Sequence, residues 1–195
     1  MARESAEGQA LELGWRRDNV IELTEANYLY MVLKKTCWLA TIHPTRMGTL
    51  IGSSGAIDLD KCIRFAFFLG AAFQIQDDIL NLEGDATAYG KELSGDIREG
   101  KRTLMLIHLI GRSTEAEQQR LRCILGQPRT VRTDEDVAWV RERMDEYGCL
   151  DYARQLAQGL AGAAKYEFKS LYGHLPDSRD RRFLEALPVW VIERN

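Results

Sequence analysis

Gln74, Asp77, Asp78 and Asn81 stand at i, i+3, i+4 and i+7 of the segment FFLGAAFQIQDDILNL. That spacing puts all four on one side of a helix. The rest of the segment (Phe67, Phe68, Leu69, Ala71, Ala72, Phe73, Ile75, Ile79, Leu80) is apolar nearly all round, and such a helix is buried. The polar stripe is therefore expected to line an internal cavity. Two adjacent buried carboxylates repel each other, and burying their charge without a partner is costly, so a cation is required. The donors are oxygens with no His or Cys nearby, which suits a hard cation, and Mg²⁺ fits best. The usual alternative for an Asp-Asp pair is a solvated patch or a helix start, and the apolar flanks speak against it.

About ten residues further on lies AYGKELSGDIREGKRTL, in which Gly90-Lys91 and Gly100-Lys101 each set a lysine beside a glycine. Glycine lets backbone approach a ligand closely, and lysine supplies a point charge suited to phosphate. The GxxxxGK[ST] phosphate loop is absent. Taken alone, the segment reads equally well as an ordinary surface loop. Carboxylates and lysines make sense together if Mg²⁺ and lysines clamp one polyphosphate from two sides. A third signal is YLYMVLKKT, where Lys35 and Thr36 fall on or near an apolar helical stripe and Lys34 points elsewhere. An inward lysine more often buries its stem and keeps its charge in water.

The elements that must position these residues read as helices throughout. No stretch alternates apolar and polar residues as a half-buried strand would. Thr24 is an N-cap signal for a helix to about residue 40, with His43-Pro44 a break or bend before a short piece over 45–53 and a turn at Gly52-Ser53-Ser54-Gly55. Residues 59–82 form the longest apolar helix, and 83–101 a loop with one helical turn. Further helices are expected over 102–111, 113–125, 133–147 and 150–172, and from Pro176 towards Arg194 with a disturbance at Pro188. The sequence thus predicts an all-α protein forming a single domain over residues 1–195.

Composition is compatible with this. The chain has 195 residues, 45% of them hydrophobic, and a formal net charge of −3 with both signs interspersed. That balance argues against a nucleic-acid partner, which calls for concentrated positive charge. Cys37, Cys62, Cys123 and Cys149 are scattered without a CxxC pair, which excludes a zinc pattern and a disulfide scaffold and leaves buried free thiols in a reducing compartment. The N-terminus shows no signal peptide, and the longest apolar run, 65–73, is far below the ~20 residues a membrane span needs. A cytoplasmic location is expected.

The motifs together resemble the trans-isoprenyl diphosphate synthases, the family of farnesyl, geranylgeranyl and longer polyprenyl synthases. Phe73 to Asn81 matches the second aspartate-rich motif FQxxDDxxN. Lys35-Thr36 matches the KT pair. Gly90-Lys91, Asp96 and Gly100-Lys101-Arg102-Thr103 match GK…D…GKxT, the diphosphate-binding loop spanning 84–103. GQALELGW at 8–15 is similar to the GQxxDL-type motif, with Glu12 where aspartate is common. The resemblance runs from about Gly8 to at least Leu109 and implies a helical bundle of the isoprenoid-synthase type. It implies Mg²⁺ ligated by Asp77 with Asp78 and Asn81 in support, diphosphate bound by Lys35, Lys91 and Lys101, and Thr36 and Gln74 turned towards an allylic cation. The implied reaction condenses isopentenyl diphosphate with an allylic diphosphate to give a longer trans-prenyl diphosphate.

One departure matters. The family uses two aspartate-rich motifs on facing helices, and Asp77-Asp78 is the only Asp-Asp pair here. Asp134-Glu135-Asp136 follows Thr133 as a helix-start signal instead. The sequence is therefore expected to be the C-terminal half of such a synthase, with the N-terminal helices missing and little activity alone. As expected partner, it would have a second copy or a chain carrying the first motif. Product length, set in the family mainly by residues before that first motif, is not legible. The alternatives are a non-catalytic regulatory subunit and a terpene cyclase-like protein. The cyclase motif (N/D)DxxSxxxE fits poorly, with Asn81 and Asp85 at its last two positions.

Overall fold

The computed structural model describes residues 2–83 and 94–194, and every regular element among them is helical. In chain order these are α1 (Ala2–Arg17), α2 (Glu25–Val32), a π-helical stretch (Leu33–Ile42), α3 (His43–Gly52), α4 (Lys61–Glu83), α5 (Gly95–Glu99), α6 (Leu104–Arg112), α7 (Glu115–Gly126), α8 (Asp134–Glu146), α9 (Cys149–Tyr172) and α10 (Arg179–Glu193). No described helix is long and apolar enough to cross a membrane.

Local chemistry explains most boundaries. The Thr24 hydroxyl accepts the Asn27 amide at 3.2 Å and caps α2. Thr114 with Glu117 and Thr133 with Asp136 form reciprocal capping boxes at the starts of α7 and α8, so the 134–136 acidic run is a helix start as expected. The break expected at His43-Pro44 does not occur. The chain instead widens into π turns, the His43 amide reaches back five residues to the Trp38 carbonyl, and Pro44 falls in the first turn of α3, where a missing donor costs little. Pro188 likewise lies inside α10 without ending it. The turn after α3 forms as expected, with Gly55 at a left-handed φ of 81° donating its amide to the Leu50 carbonyl at 3.1 Å. Cys37, Cys62 and Cys149 are buried free thiols, whereas Cys123 is exposed, contrary to expectation, because it sits on the outer face of α7.

The chain forms two compact units. The first comprises Met1–Gln9, Val32–Gln76 and Gln155–Asn195, and the second Ala10–Met31 and Asp77–Arg154. In the first unit, Gly70 of α4 meets the π-helical stretch so closely that a Cβ there would lie 2.6 Å from Thr41 Oγ1. The Thr41 hydroxyl, in turn, donates to the Ala66 carbonyl at 2.7 Å. Phe65, Phe168 and Tyr172 pack as an aromatic cluster with centroids 5.4–6.2 Å apart. The second unit is built on α6, whose Leu104, Met105, Leu106 and Leu109 are buried with Leu121, Val140 and Met144. Burial of side chains of this size stabilises by roughly 1.5–3 kcal/mol each.

Candidate active site

In the second unit the chemistry centres on Asp78, whose residue is only 1% exposed. An isolated carboxylate there would be strongly disfavoured, and the structure supplies two donors. The Tyr28 hydroxyl donates to Oδ2 at 2.9 Å, and the Lys101 ammonium donates to Oδ1 at 2.8 Å. Lys101 also donates to Asp96 Oδ2 at 2.9 Å. Burial opposes charge on Lys101, but the two carboxylates outweigh it and hold the ammonium above its ordinary pKa. Burial raises the Asp96 carboxyl, with Lys101 pulling the other way and Asp78 adding to the rise. Asp77, the neighbour on α4, is half-buried.

Asn81 occupies the last position of the stripe and is buried. Its Oδ1 accepts the Asp96 amide at 2.9 Å, and its carbonyl accepts the Ser94 amide at 2.8 Å. It thereby ties α4 to the start of α5, and the oxygen expected to meet a metal is engaged with backbone. Lys91 lies outside the described residues.

Two arginines hold the returning chain, and neither was singled out from the sequence. Arg102 is 1% exposed and donates to the Val20 carbonyl at 2.9 Å, to Asn19 Oδ1 at 2.8 Å and to the Gly100 carbonyl. Burial, with Arg132 nearby, lowers its pKa to about 10. Arg132 donates to the carbonyls of Ile97, Ile124, Leu125 and Gln127 at 2.9–3.1 Å. A guanidinium offers five donors in a fixed fork, so these side chains bind the loop carbonyls around Gly100 and fix Lys101. The signal was present in the arginine of the GKRT segment.

The first unit carries Lys35, Thr36 and Gln74. Lys35 and Thr36 lie in the π-helical stretch, the kind of irregularity often found at functional sites. The Thr36 hydroxyl donates to Gln74 Oε1 at 2.8 Å. Ser5 donates to the Lys35 carbonyl at 3.2 Å, and a Cβ on Gly8 would fall 2.3 Å from the Lys35 nitrogen, so α1 lies directly on Lys35. Lys34 also turns to α1, pairing with Glu4 at 2.7 Å and Glu7 at 2.6 Å. Thr36 also lines an apolar cavity of about 950 Å³ walled by α3, α4, α9 and α10, the upper end of the range for small-molecule sites.

Among the described residues no three His, Cys, Asp or Glu side chains are placed to hold a metal ion. Mg²⁺ is ordinarily held by one or two carboxylates with substrate phosphates and water. The half-buried Asp77 carboxylate fits a metal that arrives with phosphate, whereas both Asp78 oxygens already accept bonds, from Tyr28 and Lys101.

Comparison with known proteins bears on the same residues. Residues 1–144 match the family model described as polyprenyl synthetase. A short chain isoprenyl diphosphate synthase of Methanothermobacter thermautotrophicus is 32% identical over 188 residues, covering 96% of this chain and 54% of that protein. The octaprenyl diphosphate synthase of Escherichia coli is 30% identical over 191 residues, covering 97% and 56%. The crystal structure of a polyprenyl synthase from Caulobacter crescentus, complexed with calcium and isoprenyl diphosphate, superposes with a TM-score of 0.82 at 31% identity, covering 98% of this chain and 56% of that one. A geranylgeranyl pyrophosphate synthase from Corynebacterium glutamicum, complexed with isoprenyl diphosphate and magnesium, gives 0.83 at 25% identity, covering 100% and 53%. The chain spans about half the length of the curated relatives it matches. With a helical fold, a paired-carboxylate helix and a family match over most of its length, this chain belongs to the polyprenyl synthetase family.

Proposed function

We propose that this chain supplies the diphosphate-ionising part of a trans-prenyltransferase, which condenses isopentenyl diphosphate with an allylic diphosphate. The observation that carries the reading is the buried Asp78–Lys101–Asp96 cluster beside Asp77. With Asp77 the cluster sets three carboxyl groups against one ammonium, a net negative charge that suits a divalent cation arriving with phosphate rather than a bare anion. Asp77 would hold Mg²⁺, with Asp78 supporting it. When bound, the metal would take up negative charge on the leaving diphosphate. Lys35, Lys91 and Lys101 would balance the remaining anionic oxygens, Lys101 while kept in place by its two carboxylates. Asn81 would serve by tethering α5 to α4. Thr36 and Gln74, bonded to one another, would present oxygen dipoles to the allylic cation, and the apolar cavity that Thr36 lines would keep its tail from water.

Linkage provides the test, because a ligand that binds only the folded chain raises its melting temperature. Mg²⁺ and diphosphate together are expected to raise it more than either alone, and Asp77→Ala is expected to abolish that extra rise. An unchanged rise in Asp77→Ala would remove Asp77 from the site. Residues 1–195 alone are expected to show little transfer of radiolabelled isopentenyl diphosphate to an allylic primer. Transfer is expected to appear when a chain carrying the family's first aspartate-rich motif is added or fused. Robust turnover by residues 1–195 alone would show that a second copy completes the metal site.

A further inference from the structure

Tyr28 of α2 is wholly buried, as is Met31 on the next turn. A phenylalanine ring would fill the same space, so the hydroxyl is the part of this side chain that needs a reason. It donates to Asp78 Oδ2 at 2.9 Å. An aspartate carboxyl turns readily about its last bond, because that torsion is broad and roughly twofold. Held by Lys101 alone, Asp78 could offer either oxygen, and the ammonium, on its flexible four-carbon stem, would follow. With Tyr28 on Oδ2, the carboxyl has one orientation, and Oδ1 is committed to Lys101 at 2.8 Å.

Asp96, the other acceptor of Lys101, is fixed independently, since its amide donates to Asn81 Oδ1 at 2.9 Å. Both carboxylates that aim the ammonium are thus tied down, one through its side chain and the other through its backbone. An ammonium has three donors. Asp78 and Asp96 take two, and the Lys101 side chain keeps 16% exposure, which leaves the third donor to an incoming anion. The same arrangement keeps a metal away from Asp78. Mg²⁺ dehydrates reluctantly and usually keeps several waters, and a residue 1% exposed with both oxygens engaged has no room for them. Asp77 is half-buried and has that room.

We infer that Tyr28 is a positioning residue, which fixes Asp78 so that Asp78 aims Lys101 at diphosphate and leaves the metal to Asp77. The inference rests on the reading that this cluster meets Mg²⁺ and diphosphate, and it adds a division of labour between the paired aspartates. Asp77 governs how much metal is needed. Tyr28 and Asp78 govern how tightly diphosphate is held once metal is present.

The experiment titrates residues 1–195 with inorganic diphosphate by calorimetry at a series of Mg²⁺ concentrations, below the melting temperature of every variant. Each series yields a limiting Kd for diphosphate and the Mg²⁺ concentration at half effect. Tyr28→Phe keeps the ring and is expected to raise the limiting Kd about tenfold, the lower end for partners standing behind a binding residue. It is expected to leave the half-effect Mg²⁺ concentration within about twofold of the parent. Asp78→Asn keeps an oxygen for Lys101 but not the charge, and is expected to follow the same pattern. Asp77→Asn is expected to raise the half-effect Mg²⁺ concentration about tenfold or more. Tyr147→Phe, which removes the tyrosine bond to Glu117, is the control for a lost buried bond and is expected to move neither constant. A limiting Kd unchanged within about twofold in folded Tyr28→Phe makes Tyr28 a packing residue and overturns the inference. So does an Asp78→Asn variant that needs as much extra Mg²⁺ as Asp77→Asn, and this second outcome decides the matter if Tyr28→Phe does not fold. No diphosphate binding by the parent at any Mg²⁺ concentration removes the underlying reading itself, and the inference with it.

Discussion

The Lys101 ammonium lies 2.8 Å from Oδ1 of Asp78, a carboxylate almost entirely removed from solvent. Removing one member of such a pair leaves the other charge buried and uncompensated, which typically costs about 3–5 kcal/mol, more than the net contribution of the pair itself. Lys101→Met is therefore expected to destabilise the chain by several kcal/mol in urea unfolding at neutral pH. The double variant Lys101→Met with Asp78→Leu is expected to recover a good part of that loss. If the two single losses simply add, the pair is not coupled in the folded state.

Arg102 acts at one remove, by fixing the backbone that carries Lys101. Arg102→Lys keeps the charge but loses the fork that spans Val20, Asn19 and Gly100. It is expected to cost about 2–4 kcal/mol and to weaken the Mg²⁺–diphosphate stabilisation as well. A variant as stable as the parent, with unchanged ligand stabilisation, would show that the loop around Gly100 holds its own shape.

Legibility in the sequence divides along physical lines. Helix α4 and its stripe were readable because apolar periodicity and i, i+3, i+4 spacing are local properties, and the caps at Thr24 and Thr133 are local too. The π-helical stretch was not readable. Its contacts are with Ser5 and Gly8 of α1 and with Gly70 of α4, and nothing in LKKTCWLATI itself announces wider turns. Arg102 and Arg132 escaped notice for a related reason. An arginine in a glycine-containing loop reads as a solvated charge, and its actual partners are mainly carbonyls, up to 82 residues distant for Arg102, that carry no side-chain signature. Asn81 was placed correctly on the stripe. Its amide oxygen faces the Asp96 amide, a partner that becomes visible only when α5 folds back.

Acid sensitivity should single out Glu117. Its carboxylate accepts the Tyr147 hydroxyl at 2.7 Å and, at the cap of α7, the Thr114 amide at 2.9 Å and hydroxyl at 2.8 Å. These bonds lower its pKa to about 2, against about 4.3 in an unfolded chain. A lowered pKa means that its stabilisation is present above about pH 4.3 and is lost as pH falls from there towards about 2. Glu117→Gln is thus expected to melt below the parent at pH 6, with the difference shrinking across that window. A difference that is independent of pH between 6 and 2 would assign the effect to shape rather than charge.

Gly8 tests whether the contact of α1 with Lys35 is needed. Replacing a helical glycine by alanine ordinarily stabilises by up to about 1 kcal/mol, through backbone entropy. At Gly14 of the same helix a new Cβ meets nothing within 4 Å, so Gly14→Ala is expected to show that gain. At Gly8 the new Cβ would lie 2.3 Å from the Lys35 nitrogen, 2.6 Å from its Cα and 2.8 Å from its Cβ. None of these is the end of a flexible side chain. The helices must part by the better part of an ångström, which overpacking measurements put at about 1–3 kcal/mol or more. The steric cost therefore exceeds the propensity gain, and Gly8→Ala is expected to be net destabilising by thermal unfolding. Parting the helices would also displace the backbone of Lys35 and stretch the 3.2 Å bond from Ser5 to its carbonyl. If Lys35 binds diphosphate, Gly8→Ala is expected to weaken Mg²⁺–diphosphate stabilisation beyond the loss in melting temperature, while Gly14→Ala leaves it intact. Equal stabilisation of both variants by the ligand would mean that the position of Lys35 along α1 does not matter for binding.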